Sequence, residues 1–289
     1  MIQEPACVRL ELDSRPENVA VVRAALAGLA EAAEFDGELE TDLKTAVSEA
    51  CNNVVLHAYR GGAGRMLVTA ACELDRIDVV VADSGTGITR LSSAPGHMGL
   101  GLALISALAD QAEFRSPSAG GAEVRMRFRR GVDGPDNGIA YREQWPARPA
   151  ALTGDVVLWC DPVAVLRHVL GRVARAVAAM SHFTVSGATE LYAINDAVAA
   201  CAEAAADAEA GADGRVVIAV SGAAHRLTLD GWPFPAGAER GRLAALLDEI
   251  SFESNASGGL LHMLLLDHGV RLPAPERGNA GSDGCQLQP

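Results

Sequence analysis

Residues 48–59 read Ser48-Glu49-Ala50-Cys51-Asn52-Asn53-Val54-Val55-Leu56-His57-Ala58-Tyr59. Glu49, Asn53 and His57 recur at every fourth position, so on a helix they form one polar stripe. Val47, Ala50, Cys51, Val54 and Val55 beside them are apolar, which gives the helix a buried side. A carboxylate and an amide at the margin of a core are costly without partners. Phosphates, water and a hard cation would serve: an amide oxygen suits the cation, and a carboxylate can take a proton from an attacking hydroxyl. Taken alone, the same spacing also describes the solvated face of an ordinary amphipathic helix.

Outward from this stretch, the helix is expected from about Glu38 to Tyr59, stopped by Arg60-Gly61-Gly62. Upstream, residues 6–14 alternate as a strand, and Pro16 opens a helix to about Glu34 with Val19, Val22, Leu26 and Leu29 on one face. Downstream come strands at 65–74 and 76–85, a Gly/Ser/Pro loop, an apolar helix Met98–Asp110, and two further strands ending near Arg130. The second of the first two strands runs out into Asp83-Ser84-Gly85-Thr86-Gly87. There a carboxylate can accept from the exocyclic amine of adenine, and the glycines let the backbone approach base and sugar. Gly96-His97-Met98-Gly99-Leu100-Gly101-Leu102 then places glycines at a helix start, where free N–H groups favour phosphate.

The chain has 289 residues, half of them apolar, and a formal net charge of −13. That supplies ample core material and no basic face for nucleic acid. Six cysteines lack CxxC spacing, which fits buried thiols in a reducing compartment. No apolar run of membrane-spanning length and no signal-like start is present, so a cytoplasmic protein acting without membrane or direct nucleic-acid contact is expected.

Glu49-Ala50-Cys51-Asn52-Asn53, then Asp83-Ser84-Gly85-Thr86-Gly87, then Gly99-Leu100-Gly101-Leu102 resembles the N, G1 and G2 boxes of the GHKL (Bergerat-fold) ATPases, in order and over about 125 residues. Within that superfamily, residues 48–59 followed by Arg65-Met66-Leu67-Val68-Thr69-Ala70 look like the anti-sigma-factor serine/threonine kinases of bacteria. The resemblance implies an α/β (α+β two-layer) sandwich with a mixed sheet covered on one face by helices. It implies ATP and Mg²⁺ as cofactors, Glu49 as catalytic base and Asn53 as the Mg²⁺ ligand. Asp83 would read adenine, while Gly85, Gly87, Gly99, Leu100 and Gly101 would shape the nucleotide and phosphate loops. The implied activity is phosphorylation of a serine on a small antagonist protein of the anti-anti-sigma type, with a sigma factor as a further partner. The alternative is an ATP-binding sequestering module with little transfer. Two departures stand out: His97-Met98 where relatives carry glycine, and a short inter-box segment, Ile88–Pro95.

Residues 131–153 are a linker by composition, separating an ATP-binding domain (1–130) from residues 154–269, with a disordered tail expected from 270 to 289. The second half repeats the order of the first: thirty residues separate Phe35 from Arg65, and thirty-two separate Phe183 from Arg215. Strands are expected at 155–161, 214–222 and 225–231, and helices at 162–180, 187–209, 242–252 and 258–268. Setting residues 46–53 against 193–200 puts Asp196 at the place of Glu49 and Ala200 at that of Asn53. Asp230, Gly258 and Gly259 look like remnants of the other two boxes. The reading is a degenerate tandem copy without a nucleotide site, serving as dimer partner within one chain; a homodimer is the other possibility.

Overall fold

Alternation of buried and half-buried residues sets β1 (Ala6–Asp13), with Ala6, Val8, Leu10 and Leu12 on its core side. Helix α1 (Asn18–Ala32) follows, and Asp36 starts α2 (Gly37–Asn53) by accepting the Leu39 N–H at 2.8 Å. The same helical path continues as a π turn, Val54–Ala58. Strands β2 (Arg65–Cys72) and β3 (Arg76–Asp83), helix α3 (Leu100–Leu108), and strands β4 (Gln111–Arg115) and β5 (Glu123–Arg129) complete the first half. The second half comprises β6 (Val156–Asp161), a 3-10 turn (Val163–Val165), α4 (Leu166–Met180), α5 (Val185–Ala208), β7 (Val216–Ala223), β8 (Arg226–Phe234), β9 (Glu249–Asn255) and β10 (Gly258–Leu266). The computed structural model describes residues 6–59, 62, 64–73, 75–87, 100–118, 120–130, 145, 147–208, 214–237, 241–255 and 258–269.

One ten-stranded sheet joins both halves in the order β4-β5-β3-β2-β1-β6-β7-β8-β10-β9. Every pairing is antiparallel, where a mixed sheet was expected. The reason is the helix pair: β1, α1, α2 and β2 make an even number of traverses, so β2 returns against β1 rather than along it. Helices line one face, and the main core beneath them takes residues from both halves, including Leu10, Leu43, Leu158, Leu170 and Leu261. Each fully buried leucine of this kind contributes roughly 1.5–3 kcal/mol through area removed from water.

One further expectation is corrected. Residues 249–255 and 258–266 are strands, not helices. Leu261, Met263 and Leu265 alternate inward, and β8 offers an open ladder to pair with, so tertiary pairing overrides the helical propensity of the leucines. Near the end of the expected linker, residues pack onto the sheet. Leu152 is fully buried with Val157, Trp159, Val217 and Ala219 on the face opposite the helices, and Trp145 packs against the same cluster. The segment 131–144 and the tail 270–289 lie outside the described residues. No helix among the described residues is long and apolar enough to cross a membrane.

Cys51, Cys72 and Cys160 are buried free thiols. Burial pushes the first two up to about 12, and Cys160 further still. A buried ion pair joins β3 to β5: Arg127 donates Nε to Asp78 Oδ1 at 2.7 Å and a terminal nitrogen to Oδ2 at 2.8 Å. Nothing in the spacing of these two residues announces that pair.

Candidate nucleotide site

Glu49 and Asn53 lie on α2 at its half-buried margin, and the first turn of α3 comes down on them. A Cβ built on Gly101 would stand 3.0 Å from Glu49 Oε2 and 3.6–3.7 Å from the Asn53 amide atoms. A side chain there would crowd both polar groups, which explains a glycine inside an apolar helix. Asn53 Nδ2 is buried without a hydrogen-bond partner among the described residues. Leaving such a donor unpaired costs about 1–3 kcal/mol, and a phosphate oxygen accepting from it would relieve that cost.

The expected stripe does not reach His57. The π turn inserts extra backbone after Asn53 and rotates the residues beyond it, so His57 stands exposed. That turn leaves the Ala58 carbonyl free to accept the Thr86 N–H at 2.9 Å. A Cβ at Gly85 would overlap the same carbonyl, so only glycine lets the loop after β3 lie this close to the end of α2.

Asp83 ends β3 on the helix-covered face. Its Oδ1 accepts the N–H of Gly85 at 2.7 Å and of Ala122 at 3.3 Å, leaving Oδ2 without a partner among the described residues. Gly87 has φ +78° and abuts Gly121, which has φ +84° and lies directly on the Asp83 carbonyl. The structure therefore brings Glu49, Asn53 and Gly101 together, and ties Asp83, Gly85 and Gly87 to the same helix end. Leu100 begins α3 and is exposed. Gly99 lies outside the described residues.

Sequence reasoning missed two supports. The Tyr59 hydroxyl accepts the Ser84 N–H at 3.0 Å and donates to the Arg65 carbonyl at 2.5 Å, clamping the loop to β2. Gly121, in the β4–β5 hairpin, buttresses the Asp83 turn from the other side. A tyrosine closing residues 48–59 and a Gly120-Gly121 pair before a strand were the available signals. Asp230, expected as a remnant acid, instead bonds His262 on β10, on the face opposite the helices. Gly258 and Gly259 open β10 within a hairpin rather than a helix.

A profile of the histidine kinase-like ATPase domain matches residues 12–128. The serine-protein kinase RsbW of Bacillus mycoides strain KBAB4 is 32% identical over 128 residues, 39% of this chain and 80% of that protein. That of Bacillus cereus strain AH187 is 32% identical over 121 residues, 37% of this chain and 76% of that protein. Each covers well under half of this chain. Through its first 130 or so residues, the chain belongs to the GHKL ATPases of the anti-sigma-factor serine kinase type.

Proposed function

We propose that the chain is a Mg-ATP-dependent protein serine/threonine kinase of the anti-sigma-factor type, phosphorylating a serine on a small antagonist protein and/or binding a sigma factor. The observation that carries this is the meeting of Gly101 with Glu49 and the unpaired amide of Asn53. In this reading Glu49 is the proton acceptor and Asn53 the cation ligand, beside a helix N-terminus suited to phosphate.

In this reading Asp83 Oδ2 accepts from the adenine amine, while Gly85 and Gly87 keep the loop close to base and ribose. Gly99, Leu100 and Gly101 offer backbone N–H groups to the phosphates. Asn53 would hold Mg²⁺ through its amide oxygen, with phosphate oxygens and water completing the shell of a hard cation. When bound, Mg²⁺ neutralises charge on the β- and γ-phosphates. Glu49 takes the proton of the substrate hydroxyl as its oxygen bonds to the γ-phosphorus, and ADP departs with the electrons of the broken P–O bond.

Glu49→Gln keeps size and hydrogen bonding but removes the base. Transfer of labelled phosphate from ATP to a serine-bearing antagonist domain should fall about 100-fold or more with nucleotide binding retained. Unchanged transfer would remove Glu49 from its role. A second reading, a sequestering regulator that binds ATP without transfer, is favoured by exposed Leu56 and Leu100 on the two elements framing the site. ATP binding with no transfer to any candidate would select it.

A further inference from the structure

Leu10 and Leu158 face each other across the β1–β6 pair at the centre of the sheet. From them one lateral row of paired residues runs through Val68, Val81, Val124 and Phe114 on one side. On the other side it runs through Ile218, Gly231, Leu261 and Phe252. Strand for strand, β1-β2-β3-β5-β4 outward is matched by β6-β7-β8-β10-β9. A generic α/β unit docking edge to edge has no reason to share both strand order and lateral register.

A single offset of 148 residues carries Asp13 to Asp161, α1 to α4 at both ends, Phe35 to Phe183, and the first residue of α2 to that of α5. Both first helices end in the same turn. Glu34 and His182 have φ of 56° and 61°, and the next N–H returns to Ala30 O at 3.0 Å in one half and to Ala178 O at 3.1 Å in the other. That turn usually takes glycine, so two non-glycine residues held there at one offset point to descent rather than convergence. Beyond the central row, Asp83 and Pro233 both lie two residues on, and Gly121 on the first is matched by Gly258, φ +118°, on the second.

The offset fixed by the helix ends places Ala197 and Cys201 where Glu49 and Asn53 stand, one residue on from the alignment of Asp196 and Ala200 made on sequence alone. Leu191, Ile194, Val198 and Ala202 are buried as Leu43, Ala46, Ala50 and Val54 are, which supports that register. Residues 241–246 form turns where the first half has α3. A cavity of about 310 Å³ remains between α5 and the segment after β8, lined among others by Ala197, Ala200, Cys201, Pro235 and Arg242, with no carboxylate or amide side chain among the described residues that line it.

We infer that the chain is an internal duplication in which residues 154–269 cover the β1 and α1 surface that a second copy of the ATP-binding half would occupy, and contribute no nucleotide site. The covering is intimate: a Cβ on Gly28 of α1 would overlap the His168 carbonyl of α4, Arg172 pairs with Glu31, and Arg9 lies over the Trp159 ring at 5.0 Å. The closed surface makes the particle a monomer with a single active site.

Sedimentation of the full chain, with equilibrium binding of a non-hydrolysable ATP analogue, tests this. The expected result is the mass of one chain, 29.9 kDa, one analogue bound per chain, and none in Asp83→Asn combined with Gly101→Leu. A stable dimer, two analogues per chain, or one analogue retained by that variant would overturn it. The stoichiometry rests on the proposed nucleotide site and the mass does not. A monomer that binds no analogue would remove the proposed function while supporting the duplication.

Discussion

Asp83 divides its carboxylate between two tasks. Oδ1 holds the turn through Gly85 and Ala122, and in the proposed reading Oδ2 accepts from the adenine amine. Asp83→Asn keeps one carbonyl oxygen for the turn but removes the charge, so ATP affinity should fall at least about tenfold with little change in Tm. Calorimetric titration and a thermal melt check both, and unchanged affinity would remove Asp83 from adenine recognition. The buried thiols behave differently. Cys51 and Cys72, held near 12 by burial, should resist alkylation at pH 8 until the chain is denatured. The linked stability is fully present below the ordinary value of 9.0 and is lost as pH rises from there towards 12. A chemical-denaturation series across that alkaline window should show it.

At the level of elements, two buried polar arrangements hold helix and strand positions. Arg127 and Asp78 bind bidentately within the sheet. Asp78→Ala would strand a buried guanidinium and should cost about 3–5 kcal/mol of unfolding free energy. Urea titration of that variant measures the loss. Asp267 secures the start of α5 by accepting the Thr184 hydroxyl at 2.7 Å and the Thr184 and Gly269 N–H groups. Burial would raise its carboxyl, but the Thr184 and Gly269 hydrogen bonds, with His225 nearby, hold it below the usual range. A depressed carboxyl stabilises the fold above its unfolded value, near 3.8, and that contribution disappears as pH falls through the folded value. Asp267→Asn should therefore flatten the acid limb of stability against pH, and an unaltered limb would show that other carboxylates control it.

For the whole molecule, the seam between halves ties the ATP-binding elements to the rest of the chain. Gly28→Val should force α1 from α4 and lower Tm by several degrees, because the obstacle is backbone and not a movable side chain. A melt unchanged from the parent would show the two helices to be less closely fitted than their backbone contact implies. Most of the first half is legible residue by residue: alternation in β1, the helical periodicity after Pro16, and the order of Glu49–Asn53, Asp83–Gly87 and Gly99–Gly101 are local patterns. Reading along the chain does not reveal that the π turn lifts His57 away, that Tyr59 and Gly121 clamp the Asp83 loop, or that residues 249–255 and 258–266 pair as strands. Those outcomes depend on partners distant along the chain: a carbonyl freed at a helix end, a hairpin glycine resting on a strand end, and an open ladder on β8. They emerge only in the assembled fold, because hydrogen-bond pairing and close backbone approach are settled where segments meet, not by the propensity of either segment alone.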